Sequence, residues 1–158
     1  MLRTMVGPTA MLLLCGCLTY ASEVSVMASA DSPQAWTAEE MTRAVEVVWK
    51  CVPPLGFEAD PNLAERRRLS EKGQEYEYLV LAAFLRGHQF GSSEWITVSA
   101  LMYKDDSRFV VLIRDFNWMK ATPLTIAVEE SIADAMRAEF PARTVEIRRE
   151  TVGPALAP

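Results

Sequence analysis

Histidine is nearly missing from this sequence and cysteine is scarce: one His and three Cys in 158 residues. No Cys-Xaa-Xaa-Cys pair occurs and His88 is the sole imidazole, so neither a metal site nor a cofactor is expected. Basic charge is also short. Sixteen Lys and Arg against twenty-one Asp and Glu leave a net charge of -5, which argues against nucleic acid as a partner, because phosphate backbones need clustered cations. The seven glycines are scattered, with no Gly-rich phosphate loop and no Gly-Xaa-Ser-Xaa-Gly elbow. No apolar run reaches the roughly 18 residues of a membrane-spanning helix.

What is present suits one folded domain. Half the residues are hydrophobic and 23% are charged, an ordinary globular balance. A domain near this size buries roughly two-thirds of its unfolded surface.

The N-terminus reads as a targeting segment over residues 1–16. Arg3 supplies a minimal positive region, the apolar run Met5–Leu14 is only ten residues long, and small residues follow. Leu14-Cys15-Gly16-Cys17 resembles the lipobox of bacterial lipoproteins: Leu, a small residue, Gly or Ala, then Cys. Cys15 stands where that family usually carries Ala or Ser. The resemblance covers about a tenth of the chain. It implies a diacylglyceryl group on the Cys17 thiol, cleavage before it and further acylation of the new amino terminus; several acyl chains anchor stably where one does not. The implied location is the cell envelope, membrane-anchored and facing the periplasm or exterior, with an ordinary cleaved signal and a secreted protein as the alternative.

Residues 17–35 are then expected to be the lipidated Cys and a flexible tether, since "LTYASEVSVMASADSPQA" is rich in Ser and Ala and lacks a sustained apolar period. The alternation in "EVSVM" leaves a short added strand as the other reading.

Residues 36–152 read as an α+β domain, and 153–158 as a tail. Thr37 and Glu40 have the spacing of a capping box, flanked by Trp36 and Met41 as a hydrophobic staple. The helix they open carries Met41, Ala44, Val45, Val48 and Val52 on one face and stops at Pro53-Pro54. Cys51, in its last apolar turn, reads as a buried thiol of no special reactivity. Leu63–Leu69 is expected to be an outer strand, giving the next segment a hairpin partner; a helix opened by Asp60-Pro61 and ending at Lys72-Gly73 is the alternative.

Three alternating segments, "EYEYLVLAAFLRG", "WITVSALMYK" and "RFVVLIRDFN", read as a meander rich in β-branched and aromatic residues. The first places Tyr76, Tyr78, Val80, Ala82 and Phe84 on one side. The second sets Ile96, Val98, Ala100 and Met102 against Trp95, Thr97, Ser99 and Tyr103. Thr122-Pro123 opens a second helix that presents Leu124, Val128, Ile132, Ala135 and Met136, and "RTVEIRRETV" is a half-exposed last strand. The expected architecture is a two-layer sandwich, a mostly antiparallel sheet of about four or five strands with two helices on one face.

Chemistry is thinly represented. His88 lies in "RGHQFGSSE" near Ser92 and Ser93, and a small envelope hydrolase using it is one alternative function. The adjacent carboxylates Glu129-Glu130 and Asp105-Asp106 read as solvated ends. Two clusters suggest contacts instead. "RDFNWMK" carries Phe116, Trp118 and Met119 where a strand runs into a helix, and such aromatics either cover the end of the core or meet a partner or lipid surface. Arg66, Arg67 and Arg68 form the one basic run, either a solvated face beside Glu65 and Glu71 or an anion or headgroup contact. The reading is a lipid-anchored, non-catalytic binding or assembly component, partnered by the membrane and an envelope protein; a soluble structural domain with a misread N-terminus is a further alternative.

Overall fold

The computed structural model describes residues 19–29, 35–72, 78–87, 95–105, 107–116 and 120–152. These form an α+β fold around one antiparallel sheet. Its strands are β1 (Thr19–Ala28), β2 (Glu58–Ala59), β3 (Tyr78–Arg86), β4 (Ile96–Tyr103), β5 (Arg108–Asp115) and β6 (Arg143–Val152), in the order β2-β3-β4-β5-β1-β6. The helices are α1 (Ala38–Cys51), α2 (Leu63–Lys72) and α3 (Pro123–Glu139).

The expected meander is β3-β4-β5. Alternation along it sends Ile96, Val98, Ala100 and Met102, with Phe109, Val111 and Ile113, into one buried layer. Helices α1 and α3 cover that layer with Val47, Val48, Val128, Ile132 and Met136. Local sequence starts both helices where expected. The Thr37 hydroxyl accepts from the Glu40 N–H at 3.1 Å while Glu40 Oε2 accepts from the Thr37 N–H at 2.9 Å; Thr122 and Thr125 repeat the arrangement ahead of Pro123. Trp36 sits between Phe109 and Phe140, ring centroids 5.5 and 5.3 Å away, and closes one end of the core.

Residues 19–28 are not a tether. They form β1, paired with β5 along one edge and β6 along the other, with Val24 and Val26 fully buried. A strand flanked on both sides satisfies its backbone groups whatever its side-chain propensity, so Ser22 and Ser25 are accommodated and buried. The "EVSVM" alternation is a strand signal that continues in both directions.

Leu63–Leu69 is helix, not strand. Asp60 opens it, its side chain accepting from the Asn62 N–H at 2.8 Å and its carbonyl from the Leu63 N–H at 3.1 Å. The hairpin partner that β3 needs is the two-residue β2, with Glu58 opposite Leu85 and Ala59 opposite Phe84. Beyond β2 the side chains of α2 take over: Arg67 donates to the Leu81 carbonyl at 2.7 Å and reaches that of Val80 at 3.4 Å, and the Ser70 hydroxyl accepts from the Val80 N–H at 3.2 Å. The register of β3 shifts between Val80 and Ala82. That bulge moves Val80 off the face it would share with Ala82 and Phe84, so the uninterrupted alternation expected from Tyr76 to Phe84 does not hold.

Val80 instead joins Leu101 and Val110 on the second face of the sheet, where Leu63 of α2, Tyr78, Tyr103 and Leu112 pack on them. Two helices therefore cover one face, as expected, and a third covers part of the other. No helix among the described residues is long and apolar enough to cross a membrane.

Candidate functional site

The part of the second face that α2 leaves open is a cleft of about 330 Å³. Its floor is two cross-strand rows. Leu85, Thr97 and Arg114 stand side by side on β3, β4 and β5, and Ser99 stands beside Leu112. One wall is the start of α2, with Pro61, Asn62 and Arg66. The end wall is aromatic: the Phe116 N–H donates to the Trp95 carbonyl at 2.9 Å, extending the β4–β5 ladder, and the two rings stack with centroids 4.6 Å apart.

The two guanidinium groups of the cleft differ. Arg66 Nε lies 2.7 Å from Asp60 Oδ2, an ion pair without hydrogen-bond alignment, and the Asp60 side chain is wholly buried beneath it. This pairing fixes Arg66 against the wall and cancels its charge. The Arg114 guanidinium is exposed, and no ion pair or side-chain hydrogen bond joins it to another described residue. Among the described residues the cleft thus carries one positive charge without a paired carboxylate, beside the neutral donors of Thr97, Ser99 and Asn62 and the start of a helix whose dipole adds partial positive charge. Arginine stays protonated throughout the physiological range, so these side chains can hold and orient an anion.

Residues from two separate sequence clusters, Arg66 and Phe116, come together here. Their neighbours go elsewhere. Arg67 turns inward to the β3 carbonyls, and Arg68 pairs on the surface with Glu65, which the guanidinium holds below the usual carboxylate range. Trp118, Met119, His88, Ser92, Ser93 and the lipobox residues through Cys17 lie outside the described residues. Sequence reasoning missed Arg114 and the role of the Trp95, Thr97 and Ser99 face. The signal was the alternation on β4 and β5, which puts them on one side of the sheet; it gave no hint that α2 would rise beside them.

A second polar cluster lies under α3. Glu129, expected at a solvated end, is fully buried. It accepts from the Tyr20 hydroxyl at 2.6 Å and from Arg149 Nε at 2.6 Å, so each carboxylate oxygen has a strong donor. Burial, followed by the hydrogen bond and charge of Glu129, pushes the Tyr20 hydroxyl up to about 12. Tyr20 therefore remains a donor, and the cluster fastens β1 and β6 to α3. Cys51 is half-buried, its Sγ 3.6 Å from the Ser131 carbonyl. Among the described residues no three His, Cys, Asp or Glu side chains group as metal ligands.

No protein-family model, curated protein or solved structure matches this chain.

Proposed function

We propose that this protein is a lipid-anchored component of the bacterial cell envelope that binds a ligand without catalysing a reaction. Acylated Cys17 holds it to a membrane, and the cleft between α2 and the sheet is its binding site. The observation that carries the binding half is Arg114, a guanidinium in no ion pair with another described residue, beside the stacked pair Trp95 and Phe116. An unpaired cation, convergent hydroxyls and an aromatic wall are the elements of a recognition site for an anion with an apolar body. The Leu14-Cys15-Gly16-Cys17 motif supports the anchor.

Growth with labelled palmitate tests the anchor. Wild-type protein takes up label, Cys17→Ala takes up none and stays unprocessed, and Cys15→Ala is processed normally; label that survives the loss of Cys17 overturns the assignment. Complementation of a deletion strain tests the site. Arg114→Ala melts like wild type and fails to restore function, whereas His88→Ala restores it. The opposite pattern puts catalysis first.

A further inference from the structure

The proposed anchor and the cleft belong to one end of the sheet. β1 enters at Thr19, opposite Val152, and its next residues lie against the end of β5, Tyr20 opposite Asp115 and Ala21 opposite Arg114. Cys17 precedes Ala21 by four residues, so their Cα atoms are at most about 14 Å apart. Arg114 lies one strand spacing further, about 5 Å. A lipid on Cys17 therefore keeps Arg114 within about 20 Å of the acylated residue, with no tether to lift the domain away. The stacked rings of Trp95 and Phe116 occupy the same end, where β4 starts and β5 stops.

We propose that the cleft receives the phosphodiester of an anionic phospholipid headgroup, docking this end of the domain on the membrane that holds Cys17; the proposal rests on the anchored reading above. Charge selects the ligand. Asp60 cancels Arg66, which leaves the charge of Arg114 among the described lining residues, and a phosphodiester carries a single negative charge. A phosphate monoester, with about 1.5 to 2 negative charges near neutral pH, exceeds what the cleft offers. Thr97 and Ser99 supply neutral donors to the phosphate oxygens, while Leu85 and Leu112 make an apolar floor for the glycerol. Aromatic side chains suit the depth of the headgroups, where one part of the ring meets hydrocarbon and another water. The chain's net charge of -5 repels an anionic surface as a whole, so selectivity for anionic lipid must come from a local site.

The test uses residues 18–158, which contain every described element and lack both the apolar segment and the acylation site. This chain sediments with vesicles of phosphatidylglycerol and phosphatidylcholine in equal parts and much less with pure phosphatidylcholine. Arg114→Ala lowers partitioning onto the mixed vesicles about fivefold, the effect of one interfacial Arg, while its melting temperature stays that of the parent. Arg137→Ala, on α3 across the sheet, changes nothing. Soluble glycerophosphoglycerol at the same lipid concentration leaves sedimentation unchanged. Equal binding to both vesicles, or binding indifferent to Arg114→Ala, overturns the proposal. Displacement by the soluble diester overturns the lipid as its source. None of these outcomes depends on palmitate labelling: an unlabelled Cys17 with intact vesicle selectivity refutes the anchor alone.

Discussion

The Tyr20 hydroxyl donates to Glu129 across 2.6 Å, joining the first strand to the last helix over 109 positions of sequence. Glu129 has no solvent contact, and its other oxygen is held by Arg149 of β6. A buried carboxylate with both oxygens engaged is stable in place, and removing one donor leaves the acceptor unsatisfied. Tyr20→Phe is expected to destabilise the fold by about 1–3 kcal/mol, read from urea denaturation at neutral pH. A change below a few tenths of a kcal/mol would show that the cluster contributes no fastening.

Burial of the Tyr20 hydroxyl, together with this bond, sets an alkaline limit. Tyr20 keeps its proton in the folded state up to about 12 and in the unfolded chain only to its ordinary value of 10.0. The folded state thus holds more protons between these values, and stability falls as pH rises through them. Below about 10 the contribution is whole. Melting temperature followed from pH 9 to 12 should decline less steeply in Tyr20→Phe, which has no proton to lose there; parallel profiles would remove Tyr20 as a source of the decline.

How far the sequence foretells this fold differs by element for physical reasons. Helix α1 was legible because Thr37, Glu40 and Trp36 act over a few residues, and the meander because β4 and β5 alternate cleanly. β1 was not, since "TYASEVSVMA" mixes small and polar residues and its strand state is imposed by neighbours distant in sequence. Helix α2 was ambiguous because Leu63 is its main contact with the second core and charge fills most of the rest. The cleft draws on four parts of the chain, 61–66, Leu85, 95–99 and 112–116, and only the docking of α2 completes it.

Deleting β1 tests whether the domain begins at the first helix or before it. A chain starting at Gln34 lacks the strand between β5 and β6, which exposes Val111 and Ile113 at a new edge and detaches β6. It also removes the Tyr20 donor from Glu129. Loss of a central strand exceeds the roughly 5–15 kcal/mol that holds a typical domain together, so this chain should show no cooperative melting. A cooperative transition near that of a chain starting at Leu18 would return residues 19–28 to the role of tether.

Gly56 is a site of defined backbone need. It ends the turn Pro53–Leu55 with φ +85, and the Arg86 guanidinium, which donates to the Leu55 carbonyl, would lie 2.8 Å from an added Cβ. Gly56→Ala is expected to cost about 1–2 kcal/mol from the left-handed backbone, with some rearrangement of Arg86 in addition. A thermal shift smaller than that of an exposed Ala substitution such as Arg137→Ala would refute the assignment.

Adjacent arginines on α2 should behave differently, because only one of them meets the sheet. Arg68 pairs with Glu65 one turn earlier, both about half exposed, and solvent and salt screen such a surface pair so that it adds little to stability. Arg67 donates to the carbonyls of Val80 and Leu81 at the β3 bulge, where β2 has ended and no other strand of the described residues pairs. Removing a charged donor from such carbonyls costs about 1.5–3 kcal/mol. Arg67→Ala should therefore lower stability in urea well beyond Arg68→Ala, and speed amide exchange at Val80 while leaving β1 protected. Arg67→Lys keeps the charge but loses the second donor nitrogen, so it should recover only part of the loss. Equal, small effects of Arg67→Ala and Arg68→Ala would mean that solvent serves the bulge as well as Arg67 does, and that α2 is held without it, by Leu63, Ser70 and the Arg66–Asp60 pair.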